Sequence, residues 1–157
     1  MWRELRRYPE RDLAQHEPQY RQWLRPRIRS GEVLAWVAEG PDGAPAASGA
    51  LWFQPTLPRP GMPQRTSPYI FTMYTEPEAR GRGLATRIVR AMIAVCRAGR
   101  FPRVLLHAST QGRPVYRKMG FERTWEMRFW IDRRQANIPR RRGPRRARPA
   151  RGRRGTG

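Results

Sequence analysis

Two amphipathic segments open the chain and predict helices. Apolar side chains recur at helical spacing from Glu4 to Leu13 and again from Gln19 to Ile28. Pro18 suits a helix start because proline lacks the N–H that a first turn leaves unpaired, and Gly31 suits a helix end because glycine tolerates a left-handed cap. The pattern therefore predicts two helices before the first strand.

Two short apolar runs follow and predict a β-hairpin. Val33–Ala38 is the first run and Ala46–Phe53 is the second. Glycine, proline and aspartate at positions 40–43 supply the residues of a turn between them. Residues 55–68 contain five prolines, so this stretch is expected to form a loop.

The middle of the chain has the pattern of a strand, a loop and a helix. Tyr69–Tyr74 is rich in β-forming residues and predicts a strand. A loop containing glycine then leads to a predicted helix that begins at Leu84 and ends at Gly99. One face of this helix is apolar and is expected to be buried: Leu84, Ile88, Met92 and Val95.

Shorter elements complete the pattern. Val104–Ala108 predicts a second buried strand, and residues 113–119 predict a short helix that ends at Gly120. Phe121–Arg123 and Met127–Ile131 predict two final strands. Helices alternate with strands and no internal repeat is visible, so the sequence predicts one mixed α/β domain over residues 1–138.

Charge sets the end of the chain apart from the rest. The 157 residues include 33 Lys plus Arg and 12 Asp plus Glu, a net charge of +21. Residues 139–157 contain nine arginines and no acidic residue, a composition that predicts a disordered tail. The remaining 24 basic and 12 acidic residues leave residues 1–138 near +12. Lys118 is the only lysine, and the abundance of Arg, Pro, Gly and Ala is typical of GC-rich coding, which accounts for much of the charge without a function.

Composition also excludes several classes of protein and site. The apolar stretch Ala91–Cys96, like every other one in the chain, is far shorter than the roughly 20 residues of a membrane-spanning helix. Residues 1–7 contain no apolar segment of a signal peptide. A single cysteine excludes an internal disulfide and a cysteine-clustered zinc site, and no metal site is expected. The expectation is a cytoplasmic protein that is a monomer or a homodimer.

The loop before the central helix has the pattern of an anion site. Gly81 and Gly83 lie where the loop enters the helix, and the absence of side chains lets an anion reach backbone N–H groups at the positive end of the helix dipole. Arg80 and Arg82 add positive charge, so a pyrophosphate is the expected ligand. The spacing fits neither a Rossmann fingerprint, which needs a third small residue, nor a P-loop, which needs Gly-Lys-Ser/Thr.

The wider context resembles one enzyme family. Residues 80–85, Arg-Gly-Arg-Gly-Leu-Ala, resemble the acetyl-CoA signature Arg/Gln-x-x-Gly-x-Gly/Ala of the GNAT (GCN5-related) N-acetyltransferases. Residues 74–78 resemble the lead-in from the family's fourth strand, and residues 106–109, 112–116 and 119–121 resemble its fifth strand, fourth helix and exit strand in order. The resemblance implies flanking helices and a mixed sheet that is splayed between strands four and five.

The start of the chain departs from the family. GNAT domains usually have a strand before their first helix, whereas this chain opens almost directly in a predicted helix at Trp2–Leu5. A sheet without the family's first strand is therefore expected. The difference concerns the sheet edge and part of the acceptor wall, and it leaves the cofactor loop unchanged.

The resemblance also implies a reaction. Acetyl-CoA would donate its acetyl group to a primary amine by direct attack in a ternary complex, with a backbone N–H on the fourth strand stabilising the tetrahedral oxyanion. Tyr116 matches the family tyrosine that protonates the departing CoA thiolate as a general acid. The residues implied for cofactor binding are Met73, Tyr74, Thr75, Arg80, Gly81, Arg82, Gly83, Leu84, Ala85 and Tyr116.

The attacking amine must lose a proton, and three residues are candidates to receive it. Glu76 is either this base or a solvated loop carboxylate, and Ser109 either acts catalytically or binds the cofactor arm or caps a turn. His107 is expected in a buried strand, where a structural histidine is the commoner outcome. Cys96 is expected to pack in the helix and not to carry an acyl group, because no histidine accompanies it.

The acceptor class stays open at this point. An amine-bearing small molecule, peptide or protein is expected, against a wall of aromatic and basic residues: Tyr20, Trp23, Arg27, Trp125 and Arg128. The alternative function is a GNAT-fold binding protein with lapsed catalysis whose arginine-rich tail holds nucleic acid. The tail has no interleaved aromatic residues for base stacking, so this alternative is not favoured.

Overall fold

The computed structural model describes residues 10–58, 60 and 64–127. Chain contacts form one unit that ends at Thr124 and a second that starts at Trp125, and every helix and strand named below belongs to the first. The predicted boundary at 138/139, the predicted disordered tail and Arg128 lie outside the described residues. The elements are α1 (Glu10–Arg29), β1 (Val33–Glu39), β2 (Pro45–Pro55), β3 (Thr66–Thr75), α2 (Leu84–Ala98), β4 (Leu105–Leu106) and α3 (Arg113–Lys118), with one 3-10 turn at Pro77–Ala79.

Four strands form a mixed sheet in the order β1-β2-β3-β4. The first three are antiparallel neighbours, and β4 pairs with β3 in parallel. The predicted hairpin is confirmed: the Gly43 N–H donates to the Gly40 carbonyl at 3.0 Å, and the Gly40 N–H donates to the Ala44 carbonyl at 2.8 Å. The sheet therefore has the mixed α/β architecture that the sequence predicts.

Helix α2 covers one face of the sheet and forms the core with it. Its predicted apolar face is confirmed, since Ile88 and Met92 are buried and Leu84 and Val95 pack against the core. Leu51 of β2 and Met92 are both fully buried. Full burial of a side chain of this size contributes about 1.5–3 kcal/mol to folding. The burial of α2 thus fixes the helix, and with it the loop that precedes it, against β2 and β3.

The N-terminal helix corrects the prediction of two helices. Pro18 and Pro26 lie inside the single helix α1, although an interior proline removes a backbone hydrogen bond and crowds the carbonyl four residues earlier. Tertiary packing outweighs this local penalty, because Trp23 of α1 packs edge-on against Trp52 at 5.0 Å between ring centroids. Residues 4–9 of the predicted first helix lie outside the described residues, so the expectation that no strand precedes α1 stays a prediction.

Two predicted strands are shorter than expected or not formed. β4 comprises Leu105–Leu106 and not the whole run from Val104 to Ala108, because β3 turns away after two residue pairs. Phe121–Arg123 is not a strand; Phe121 instead packs edge-on against Tyr116, at 5.7 Å between ring centroids. The predicted strand Met127–Ile131 lies beyond the described residues except for Met127, which is not in a strand. Among the described helices, none is long and apolar enough to cross a membrane.

Candidate active site

A β-bulge bends β3 in its middle. Ser48 of β2 pairs with Tyr74 and Ala50 pairs with Phe71, so β3 has one more residue than β2 over this stretch. Thr72 lies in the bulge with a φ of +51°. A β-branched residue rarely adopts a positive φ, and such strain persists only where the surrounding structure imposes it. The bulge therefore marks the point where β3 departs from a regular strand.

Beyond this region β3 and β4 separate and open a groove. Their parallel pairing covers Tyr69 with Leu105 and Ile70 with Leu106, whereas β3 continues to Thr75. The groove has a volume of about 800 Å³ and is lined by β3, the glycine loop, α2, β4 and α3. Met73, Tyr74 and Thr75, which the sequence predicts as cofactor residues, all line it. The splayed strands predicted from the family resemblance are thus present.

The glycine loop enters α2 through two left-handed residues. Gly81 has a φ of +76° and Gly83, at the N-cap of α2, has a φ of +78°. Both conformations favour glycine because a Cβ would be strained there. The first N–H groups of a helix have no acceptor within the helix, so the start of α2 offers donors to an anion in the groove. Gly81, Gly83, Leu84 and Ala85 line the groove, and their role in binding the cofactor stays a prediction.

The two arginines of the loop differ in position. Arg80 lines the groove, and its Nε donates a hydrogen bond of 3.1 Å to the Thr75 carbonyl at the end of β3. Arg82 is exposed and is not among the residues that line the groove. Arg80 thus ties the glycine loop to the strand edge as well as adding charge. A charge contribution from Arg82 stays a prediction.

Tyr116 of α3 lies in the same groove, partly buried. Its ring packs so closely over Gly112 that a Cβ there would stand 3.0 Å from Cε2 of the ring. Desolvation by burial raises the pKa of the Tyr116 phenol above its usual value. No other described residue is hydrogen-bonded to its hydroxyl. The structure therefore presents a neutral phenol that is available to a ligand in the groove.

The candidate bases occupy three different environments. Glu76 is exposed, does not line the groove and accepts a hydrogen bond of 3.1 Å from the Tyr74 hydroxyl. Ser109 lines the groove, but its Oγ accepts the Gly112 N–H at 3.0 Å, which confirms that it caps a turn. The groove thus contains Ser109 and not Glu76.

His107 corrects the expectation of a buried strand residue. It is exposed, lies one residue beyond β4 and lines the groove. Its Nδ1 is hydrogen-bonded to the Tyr69 hydroxyl, and the two rings pack edge-on at 5.5 Å. The prediction was wrong because β4 ends where β3 diverges, and this divergence leaves His107 beside the groove.

Cys96 lies in the hydrophobic core that α2 forms with the sheet, as predicted. Burial raises the pKa of its thiol, so the reactive thiolate is disfavoured. Cys96 thus has a packing role.

The described residues include no group of three His, Cys, Asp or Glu side chains placed to hold a metal ion.

Several groove residues are not apparent from the sequence motif. Thr86 and Arg90 of α2 line the groove, as do Gln111 and Lys118. Thr86 and Arg90 are four residues apart and share a helix face, so the helical repeat continued from Gly83 identifies them. Lys118 is brought in by the position of α3, which no local pattern specifies.

An aromatic cluster lies between α1 and the groove. The Trp23 and Trp52 rings pack edge-on, and each also contacts the Phe71 ring, at 6.3 and 6.4 Å between centroids. Glu32 accepts hydrogen bonds from Trp52 Nε1 at 2.8 Å and from Arg27 Nε at 3.2 Å. Phe71 also lines the groove, so the predicted acceptor residue Trp23 adjoins its wall, and Arg27 lies over the Trp23 ring.

Comparison with known proteins identifies the family of this fold. The sequence model of the acetyltransferase (GNAT) family matches residues 1–121, most of the chain. The chain belongs to the GNAT family. The GNAT chain is therefore an enzyme of the acetyltransferase class, as the glycine loop and the splayed strands predict.

Solved structures agree with this assignment. A GCN5-related N-acetyltransferase from Ralstonia eutropha is 32% identical, with a TM-score of 0.69 over 79% of this chain and 81% of that one. A predicted acetyltransferase from Clostridium acetobutylicum, solved with acetyl-CoA, is 27% identical, with a TM-score of 0.64 over 74% and 75% of the two chains. Glucosamine-6-phosphate N-acetyltransferase from Arabidopsis thaliana, at 20% identity, shares the fold with a TM-score of 0.58 over 71% and 76%. No curated protein matches the GNAT chain.

Proposed function

We propose that this GNAT chain transfers the acetyl group of acetyl-CoA to a primary amine by direct attack in a ternary complex. The observation that carries this proposal is the union of three features in one groove: the open edge of β3, the glycine loop at the start of α2, and the Tyr116 ring. Each feature suits a different part of the cofactor or of the reaction. The Clostridium acetobutylicum neighbour, solved with acetyl-CoA, supports the choice of cofactor.

The loop at the start of α2 is proposed to hold the CoA pyrophosphate. Backbone N–H groups of Gly81–Ala85 and the positive end of the α2 dipole would face the phosphates, and Arg80 and Arg82 would add charge. The pantetheine arm would then lie along Met73–Thr75, where β3 has an edge open to the groove. An arm with amide groups suits such an edge because it can pair with backbone donors and acceptors.

The acetyl carbonyl is proposed to lie against the same strand edge. A backbone N–H of the Met73–Thr75 segment would donate to the oxyanion that forms when the amine attacks. The bond from the amine nitrogen to the carbonyl carbon forms first, and the bond from that carbon to the CoA sulfur then breaks. Tyr116 is proposed to give its phenolic proton to the departing sulfur, and its raised pKa keeps that proton in place at neutral pH.

The proton of the attacking amine needs an acceptor near the groove. Ser109 lies in the groove but already accepts the Gly112 N–H, which reduces its value as a base. Glu76 lies outside the lining and would act through an intervening water molecule. His107 lines the groove with an orientation set by Tyr69, so it is a further candidate for this role.

The acceptor is proposed to approach from the side of α1. Phe71 borders the groove and the Trp23–Trp52 pair, so an amine held near this pair would be close to the acetyl group. A small molecule, a peptide or a protein with a primary amine would fit this description. The residues of this wall are aromatic, with Arg27 over the Trp23 ring at 4.3 Å.

The proposal is tested by calorimetric titration with acetyl-CoA and by a CoA-release assay over a library of amines. Binding of acetyl-CoA followed by amine-dependent release of CoA is the expected result. Binding without release on any amine would contradict the catalytic part of the proposal. Absence of acetyl-CoA binding would contradict the proposal as a whole.

A further inference from the structure

Three cationic side chains from three different elements line the groove. Arg80 comes from the glycine loop, Arg90 from α2 and Lys118 from α3. Arg80 lies next to the loop amides and is bound to the Thr75 carbonyl. It therefore belongs to the place proposed for the pyrophosphate, which leaves Arg90 and Lys118 without an assigned ligand.

Arg90 lies further along α2 than the glycine loop. Six residues separate it from Leu84, a rise of about 9 Å along a helix. It stands on the same helix face as Thr86, which also lines the groove. Arg90 therefore lines the groove at a point beyond the first turn of α2.

Arg90 and Lys118 have no counter-charge among the residues that the structure describes. Within the part of the chain that the structure describes, neither side chain forms a hydrogen bond or an ion pair with another residue. Both are exposed, so bulk water solvates them when the groove holds no ligand. Two like charges that line one groove repel each other, and a bound anion would attract both of them.

We propose that Arg90 and Lys118 form a subsite for the 3′-phosphate on the ribose of CoA. The inference rests on the proposed function, because the pyrophosphate in the loop places the ribose next to it. CoA carries three phosphoryl groups, and the loop accounts for the two of the pyrophosphate. The third is a phosphate monoester with a charge of about −1.5 to −2 at neutral pH, which suits an arginine fork and a lysine point charge.

Lys118 also borders a second depression, of about 400 Å³, that is lined by Arg113, Pro114 and Arg117. A general field of positive charge on α3 would attract any anion without distinguishing the 3′-phosphate. The subsite proposal differs from this general effect, because it requires Arg90 and Lys118 for binding of the 3′-phosphate and does not require Arg117. Arg87 and Arg117 lie on the same two helices, are exposed and do not line the groove, so they supply matched controls.

The experiment measures the dissociation constants of CoA and of dephospho-CoA, which lacks the 3′-phosphate, by calorimetric titration. For the unmodified protein we expect CoA to bind about tenfold or more tightly than dephospho-CoA, as for hydrogen bonds between charged groups. Arg90→Gln and Lys118→Gln should each weaken the binding of CoA and leave that of dephospho-CoA nearly unchanged. In the double variant, the ratio of the two dissociation constants should be close to one. In the controls Arg87→Gln and Arg117→Gln, the ratio should stay as it is in the unmodified protein.

Five results would overturn the inference. Equal affinity of the unmodified protein for the two nucleotides would show that the 3′-phosphate has no subsite, and would leave the proposed function intact. A ratio that persists in the double variant would show that other residues hold this phosphate. An equal loss for both nucleotides, or the same loss in the Arg117→Gln control, would show a general charge effect. Failure of both nucleotides to bind would overturn the proposed function, and the subsite with it.

Discussion

The sulfur of Met73 occupies the space where a side chain on Gly49 would begin. A Cβ on Gly49 would overlap Met73 Sδ and would stand 3.0 Å from Met92 Cε. Gly49 lies opposite the β3 bulge, and Met73 lines the groove. The absence of a side chain at position 49 therefore lets the bulge pack closely against β2 and α2.

Gly49→Ala should force Met73 to move, because the added methyl group cannot coexist with the sulfur. We expect a loss of about 1–3 kcal/mol in the free energy of unfolding, the usual cost of overpacking, and weaker binding of acetyl-CoA. Urea unfolding and calorimetric titration measure the two effects. In the double variant with Met73→Ala, the loss of stability should be less than additive; strictly additive losses would show that the two residues are not coupled.

Gly83→Ala should separate backbone strain from ligand binding. Gly83 and Gly31 have φ values of +78° and +76°, and a Cβ at either would meet no atom within 4 Å. Alanine at either position should therefore cost about 1 kcal/mol of stability. Only Gly83 lies in the groove, so only Gly83→Ala should weaken acetyl-CoA binding, by about tenfold or 1.4 kcal/mol. A similar loss of affinity in Gly31→Ala would contradict the assignment of the loop.

Tyr116→Phe should remove the proton donor and keep the ring. Once an acceptor amine is identified, kcat should fall by about 100-fold or more, in the range typical of general acid–base catalysis. The KM for acetyl-CoA should change little, because the ring still packs against Gly112 and Phe121. Steady-state kinetics measure both constants. Unchanged turnover would remove Tyr116 from the mechanism.

The raised pKa of Tyr116 predicts how activity depends on alkaline pH. Only the protonated phenol can donate, and burial disfavours the charged phenolate. Activity should therefore persist up to the ordinary tyrosine pKa of about 10 and fall only above it. The folded state holds this proton more tightly than the unfolded chain does, so the stabilising contribution is complete below that pH and is lost as the pH rises further. A pH–rate profile checks the first point, and its alkaline fall should be absent from the residual activity of Tyr116→Phe.

Local patterns were sufficient to predict the glycine loop, α2 and the hairpin. Gly81 and Gly83 stand directly before an apolar helix repeat, and that combination of turn and period requires no knowledge of distant residues. The same holds for Ser109, whose role as a cap depends on residues three positions away. These elements were predicted because their causes lie close together in the sequence.

The missed features have causes that are distant in the sequence. The bulge at Thr72 depends on the register between β2 and β3, and the exposure of His107 depends on where β3 leaves β4. Pro18 marks a helix start by local rules, but α1 continues through it because Trp23 packs against the sheet. Lys118 enters the groove through the placement of α3. A single sequence does not reveal these spatial relationships.

One hydrogen bond bears on the distance between the glycine loop and the open edge of β3. The bond from Arg80 Nε to the Thr75 carbonyl joins the glycine loop to the open edge of β3. The bond therefore helps to hold the donors at the start of α2 at one distance from the backbone of Met73–Thr75. A ligand that engages both places must have an arm of matching reach. We therefore expect the groove to select its ligands by the distance between an anionic head and a reactive end.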